Sequence, residues 1–66
     1  MVLNFSDNYL VPHDCKALGK ILTDFKSVRE LRLRNTNLTL GNGGKDIADG
    51  LMRAKQLEIL DISDNK

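Results

Sequence analysis

The chain has 66 residues, with ten Lys and Arg against nine Asp and Glu for a net charge of +1, one cysteine and no tryptophan. That length allows one small unit whose core supplies a few kcal/mol, on the order of 3–5, and a lone thiol excludes an internal disulfide. The near-neutral balance gives no field for drawing in nucleic acid or an anionic membrane, and no apolar run approaches the roughly 18–20 residues that span a bilayer. With no charged segment leading into an apolar one at the N-terminus, and a free thiol that suits a reducing compartment, a cytoplasmic address is expected.

Taken in order, residues 1–10 read as a short strand in which Leu3 and Phe5 point one way and Asn4 and Ser6 the other, the period-two alternation of a half-buried strand. Asp7 and Asn8 turn the chain, and Pro12 suits a helix start because its missing N–H would have no intrahelical partner. Leu18, Ile21, Leu22 and Phe25 recur at three- and four-residue steps, which predicts an amphipathic helix over 13–25 with Lys16, Lys20 and Asp24 on its wet side. Gly19 weakens that helix by roughly 1 kcal/mol relative to Ala, but allows a close helix neighbour. From Val28 a second strand turns Leu31 and Leu33 inward and Glu30, Arg32 and Arg34 outward. The glycine-rich stretch 39–44 is expected to be a non-helical loop that absorbs one extra residue. A second helix is predicted over 45–54, with Ile47, Ala48, Leu51 and Met52 buried and Gly50 opposite, and a third strand follows with Leu60 and Ile62 inward.

The strand segments repeat. From Leu3 to Leu31 is 28 positions and from Leu31 to Leu60 is 29. Leu3, Phe5, Asn8 and Leu10, then Val28, Leu31, Leu33, Thr36 and Leu38, then Leu57, Leu60, Ile62 and Asn65, are three in-phase copies of one pattern. The pattern resembles the leucine-rich-repeat signature L-x-x-L-x-L-x-x-N-x-L, and its spacing is similar to that of the ribonuclease-inhibitor-type subclass, in which each strand alternates with a full helix. The resemblance covers essentially the whole chain. It implies an α/β solenoid, a short horseshoe segment of three parallel strands and two helices, divided as 1–27, 28–56 and 57–66. Stacked strands would bury the inward leucines in one continuous core, with the helices along the outside of the arc. It also implies a structural role for Asn8, Thr36 and Asn65, where an Asn side chain would bond main-chain groups of adjacent turns. Thr36 departs from the pattern and has fewer bonds to offer, so a looser middle turn is expected there.

In a parallel, in-register sheet the outward residues form rows: Asn4, Arg32 and Asp61; Ser6, Arg34 and Ser63; Asp7, Asn35 and Asp64. Arg32 and Arg34 would be bracketed by carboxylates of the turns on either side, with bidentate contacts as the expected result. The same rows read equally as a ladder of surface ion pairs, each contributing about 0–1 kcal/mol.

Other patterns carry less. Residues 41–45 lie between a strand and a helix as a phosphate-binding loop would, but Thr39 stands where that loop needs its first glycine and Asp46 where it needs Ser or Thr. Asn4-Phe5-Ser6 and Asn37-Leu38-Thr39 match the N-glycosylation pattern, which matters only in a secreted chain. His13 and Cys15 have no third group placed to complete a catalytic set, and no His/Cys cluster is spaced for a metal. No catalytic, cofactor or metal residue is expected, nor nucleic acid or a membrane as partner. Two functional expectations follow from the resemblance. One is a protein-binding module using the concave strand face, with Asn4, Ser6, Glu30, Arg32, Arg34, Asn35, Asp61, Ser63 and Asp64 toward the partner. The other is a piece of a longer solenoid, or a homo-oligomer, joined through its exposed repeat ends.

Overall fold

The computed structural model describes residues 1–25 and 27–65; Lys26 and Lys66, which fall within the expected divisions 1–27 and 57–66, lie outside the described residues. Three short strands, β1 (Val2–Asn4), β2 (Glu30–Arg32) and β3 (Ile59–Asp61), form one sheet in the order β1-β2-β3, with both pairings parallel. The register aligns Leu3 with Leu31 and Leu31 with Leu60, the offsets of the sequence pattern. Main-chain pairing continues past the strand ends, where Asp7 N–H donates to Arg34 O (2.9 Å) and Asn35 N–H to Ser63 O (3.1 Å). Helix α1 (Pro12–Asp24) connects β1 to β2, and a wide helical turn over Leu40–Gly44 leads into α2 (Lys45–Leu51) before β3. The chain is thus a small α/β unit of three parallel strands and two helices.

The core is built around β2. Cys15, Leu18 and Leu22 from α1, Val28, Leu31, Leu33 and Leu38 around β2, and Ile47 from α2 are all buried. Each is a shape that fills space between strand and helix, and each fully buried aliphatic side chain contributes about 1.5–3 kcal/mol relative to exposure. Leu3, Phe5 and Leu57 pack on this core only in part, while Leu60 and Ile62, on the inward side of the third strand segment, remain about half exposed. Among the described residues nothing covers that end.

Both helices depart from their predicted stripes. In α1 the buried set is Cys15, Leu18, Gly19 and Leu22, so the stripe lies one turn earlier than expected; Ile21 is half-buried and Phe25, just past the helix, is 56% exposed. The start is fixed by the Asp14 carboxylate, which accepts from Val11 N–H at 3.1 Å in the first turn, where acidic charge also suits the helix dipole. In α2 the prediction is reversed at three positions. Gly50 is buried and faces α1, whereas Ala48 is exposed and Met52 is 78% exposed. The cause is backbone-to-backbone contact: a Cβ on Gly50 would stand 2.7 Å from Gly19 O, and one on Gly19 would collide with the carbonyl oxygen of Asp46. Two glycines permit this approach, and the apolar pattern could not rank them. Helix α2 also ends earlier than residue 54, the chain turning at Met52 and Arg53.

The glycine-rich stretch is only partly non-helical. Its first residues wind into the wide turn, and the winding breaks at Asn42 (φ −105°, ψ 35°) and Gly43 (φ 95°). Thr39 Oγ1 accepts from Asn42 N–H at 3.0 Å and closes the turn. Gly43 is required twice, by its positive φ and because a Cβ there would lie 2.5 Å from Cys15 Cβ. No helix among the described residues is long and apolar enough to cross a membrane.

Candidate binding surface

Alternation along the strands leaves one sheet face to solvent. Across β1, β2 and β3 its rows are Val2, Glu30 and Ile59, then Asn4, Arg32 and Asp61. Beyond the strands the rows continue: Arg34 N–H donates to Ser6 Oγ at 3.2 Å, and Asn35 Nδ2 donates to Asp7 Oδ1 at 3.0 Å. The structure therefore brings Asn4, Ser6, Glu30, Arg32, Arg34, Asn35, Asp61, Ser63 and Asp64 onto one surface in the order read from the sequence.

The ion pairs differ from the expected bracket. Arg32 Nε–H donates to Glu30 Oε2 of its own strand at 2.7 Å, and its Nη1 is 3.8 Å from Asp61 Oδ2. Arg34 Nε–H donates to Asp64 Oδ2 at 2.8 Å. Among the described residues no contact is bidentate and neither arginine pairs with an acid on the β1 side, where Asp7 accepts from the Asn35 amide and Asn4 accepts from Ser6 N–H at 3.0 Å. Among the described residues each guanidinium hydrogen-bonds through Nε alone, with 37% and 60% of the side chains of Arg32 and Arg34 exposed. The neighbouring carboxylates raise both guanidinium pKa values further, through the hydrogen bonds to Glu30 and Asp64 first and their charge second. Asp61 is held below the ordinary carboxylate range, chiefly because the Ser63 hydroxyl (2.6 Å) and N–H (3.0 Å) donate to it, with Arg32 and Arg34 adding to the effect. The result is two neighbouring cations, each hydrogen-bonded to a carboxylate through Nε, with Arg32 Nη1 also near Asp61.

Behind this face the Asn positions satisfy the main chain. Asn65 Oδ1 accepts from the N–H groups of Thr36 (3.0 Å) and Leu38 (2.8 Å), and its Nδ2 donates to Leu33 O (2.7 Å) and Ile62 O (3.0 Å). Asn8 Nδ2 donates to Phe5 O (3.0 Å) and Ser6 O (3.2 Å). Thr36 is fully buried, and its hydroxyl donates to Leu33 O at 2.9 Å, so this position is not loose. Other bonds tie this part of the middle segment to its neighbours. Leu10 N–H donates to Thr36 O (3.2 Å), and Asn42 Nδ2 donates to Leu10 O (3.1 Å) and Asn37 O (2.9 Å).

Sequence reasoning missed several of these residues. Asn42 has no signal beyond being an amide between glycines. Val2 and Ile59 flank Glu30 on the solvent face and were legible from alternation alone. Asp7, Asn35 and Asp64 share more than a row, since each has a positive φ (64°, 55° and 56°). Asn and Asp tolerate that left-handed conformation best after Gly, which accounts for the residue types at this point of each segment. Just above lies an open cleft of about 390 Å³ lined by Asp7, Tyr9, Asn35, Asn37 and Asp64 among others.

The remaining candidates are structural. Cys15 is fully buried, its Sγ–H meeting Asn42 O at 3.5 Å, and burial first, then the Asp14 and Asp46 charges, push its thiol up. A thiol raised in this way is a poor nucleophile at neutral pH. Among the described residues no three His, Cys, Asp or Glu side chains are grouped to hold a metal ion. Compared with protein-family models, with curated proteins and with solved structures, the chain finds no significant match.

Proposed function

We propose that this chain is a non-enzymatic protein-binding module of leucine-rich-repeat type, a cytoplasmic solenoid segment that presents the solvent face of its strands, concave in such an arc, to a protein partner. The single observation carrying this reading is the pair Arg32 and Arg34 side by side on that face, each hydrogen-bonded to a carboxylate through Nε with 37% and 60% of its side chain exposed. An arginine already fixed in place loses less side-chain entropy on binding, and its remaining donors match a partner's carboxylates or carbonyls. Arginine is also among the residues enriched where binding energy concentrates at interfaces. Val2 and Ile59, exposed beside Glu30, add apolar contact at the edges of the same face. Parallel in-register strands with repeat offsets of 28 and 29, and an Asn rung bonding neighbouring segments, support the repeat assignment.

Charge reversal tests the reading. Exposed ion pairs contribute about 0–1 kcal/mol, so Arg32→Glu with Arg34→Glu is expected to leave the far-ultraviolet circular dichroism unchanged and to abolish capture of protein partners from a cytosolic extract. Lys16→Glu with Lys20→Glu, on α1, is expected to leave capture intact. Partner capture unaffected by the Arg32 and Arg34 pair would sink the assignment of this face.

A further inference from the structure

We propose that Asn42-Gly43 is a site of spontaneous covalent modification, gated by opening of the wide turn, whose product releases that turn from α1 and uncovers Cys15. The site uses none of the residues of the strand face and is independent of what that face binds.

Asparagine followed by glycine carries its own chemistry. The Gly43 main-chain nitrogen attacks Asn42 Cγ and an N–Cγ bond forms. The bond from Cγ to Nδ2 breaks, and the side-chain nitrogen leaves as ammonia with the proton given up by Gly43 N–H. Water then opens the cyclic imide on one of two sides. Cleavage at Cγ leaves an ordinary aspartate at position 42, and cleavage at the main-chain carbonyl leaves isoaspartate, in which the chain runs through Cβ and is one methylene longer. Water is the one co-reactant, and nothing is oxidised or reduced. Glycine hinders the attack least, because it carries no Cβ beside the reacting nitrogen. Of the asparagines in this chain only Asn42 is followed by glycine.

The fold holds the reaction off. The imide ring closes only when Gly43 N and Asn42 Cβ lie on the same side of the bond between Cα and the carbonyl carbon. At the observed ψ of 35° they stand nearly opposite. The side chain is also held, since Nδ2 donates to Leu10 O at 3.1 Å and to Asn37 O at 2.9 Å, and Asn42 N–H donates to Thr39 Oγ1 at 3.0 Å. Reaction therefore waits for the turn to open, a local event with its own free energy.

The product does not fit back. In either form a carboxylate replaces the amide donor, so Leu10 O and Asn37 O lose their partner and face a negative oxygen instead. In isoaspartate the added methylene has no room, because Gly43 is buried and even a Cβ on it would lie 2.5 Å from Cys15 Cβ and 3.2 Å from Pro12 Cα. The turn therefore lifts from the start of α1. Cys15, fully buried with its Sγ–H against Asn42 O at 3.5 Å, loses that cover.

Ageing the chain in mildly alkaline buffer, folded and in urea, tests both halves. Conversion is read as exchange of ammonia for water in the peptide that carries residue 42, and is expected to be at least about tenfold slower in the folded chain, because only the open turn reacts. Equal rates in the two states overturn the gating. The product of the folded chain is then isolated by its added negative charge and treated with a thiol-reactive dye. Cys15 is expected to react at least about tenfold faster than in the unmodified chain, with circular dichroism retained. A Cys15 as slow as before, or a product that has lost its circular dichroism, overturns the local release. Asn42→Gln keeps a carboxamide but closes its larger ring far more slowly, and is expected to show no rise in thiol reactivity on ageing. An equal rise in that variant overturns the link between the two events.

Discussion

Asn65 does more for this fold than any other polar side chain, because one amide serves two N–H groups and a carbonyl of the segment beside it. A main-chain group left without a partner away from water costs about 1–3 kcal/mol. Asn65→Ala is accordingly expected to destabilise the chain by about 2 kcal/mol in urea unfolding, while Asn8→Ala, whose bonds are local and solvent-exposed, costs less than about 1 kcal/mol. Equal losses would mean that the two side chains are equivalent and that the cross-segment bonds contribute nothing. The role of Asn65 was expected from the resemblance that its in-phase position helps to carry. That of Thr36 was legible only in half. Its departure from Asn was visible, but the bonds nearby were not, since Asn42 reaches Leu10 and Asn37 through a loop conformation that no periodicity encodes. Cys15 read as a partly buried structural thiol near the helix start, and its complete burial goes with Gly43 approaching from another part of the chain.

At the scale of elements, the strands were the most legible because alternation fixes which residues face the core, and the register then followed from the offsets. The helices were legible in number and order but not in rotation. A stripe of large apolar residues predicts a buried face only when side chains mediate the contact, and α1 and α2 meet through Gly19 and Gly50 instead. Helix propensity and packing make opposite forecasts here. Alanine favours an isolated helix by about 0.8–1.0 kcal/mol over glycine, yet forcing a methyl group into closed packing costs about 1–3 kcal/mol. With Gly19 O only 2.7 Å from the added Cβ, packing prevails. Gly50→Ala is expected to lower the melting temperature, whereas Gly41→Ala, with open space around its Cβ position, leaves it unchanged or raises it. A stabilised Gly50→Ala variant would mean that the helices do not meet as described. The outward rows of the sheet were legible for the same reason as the core, but their pairing was not, since which nitrogen of Arg32 meets which carboxylate depends on rotamers.

The molecule as a whole has its core in the middle and unfinished surfaces at both ends. Among the side chains whose burial is described, every fully buried aliphatic one belongs to α1, to the β2 segment or to α2, while Val2 and Tyr9 at one end and Leu60 and Ile62 at the other are exposed. In a chain this small such ends forgo stabilisation that further burial would supply. The polar strand face runs across all three segments, and we propose it as the recognition surface. Site-specific photo-crosslinking tests it most directly, with a photoreactive side chain at position 63, beside Arg34 on that face, and in a second protein at position 16 on α1. The result predicted is a covalent adduct to partner protein from position 63 alone, lost when Arg32→Glu and Arg34→Glu are added. Adducts from position 16 alone, or from position 63 undiminished by those two changes, would contradict it.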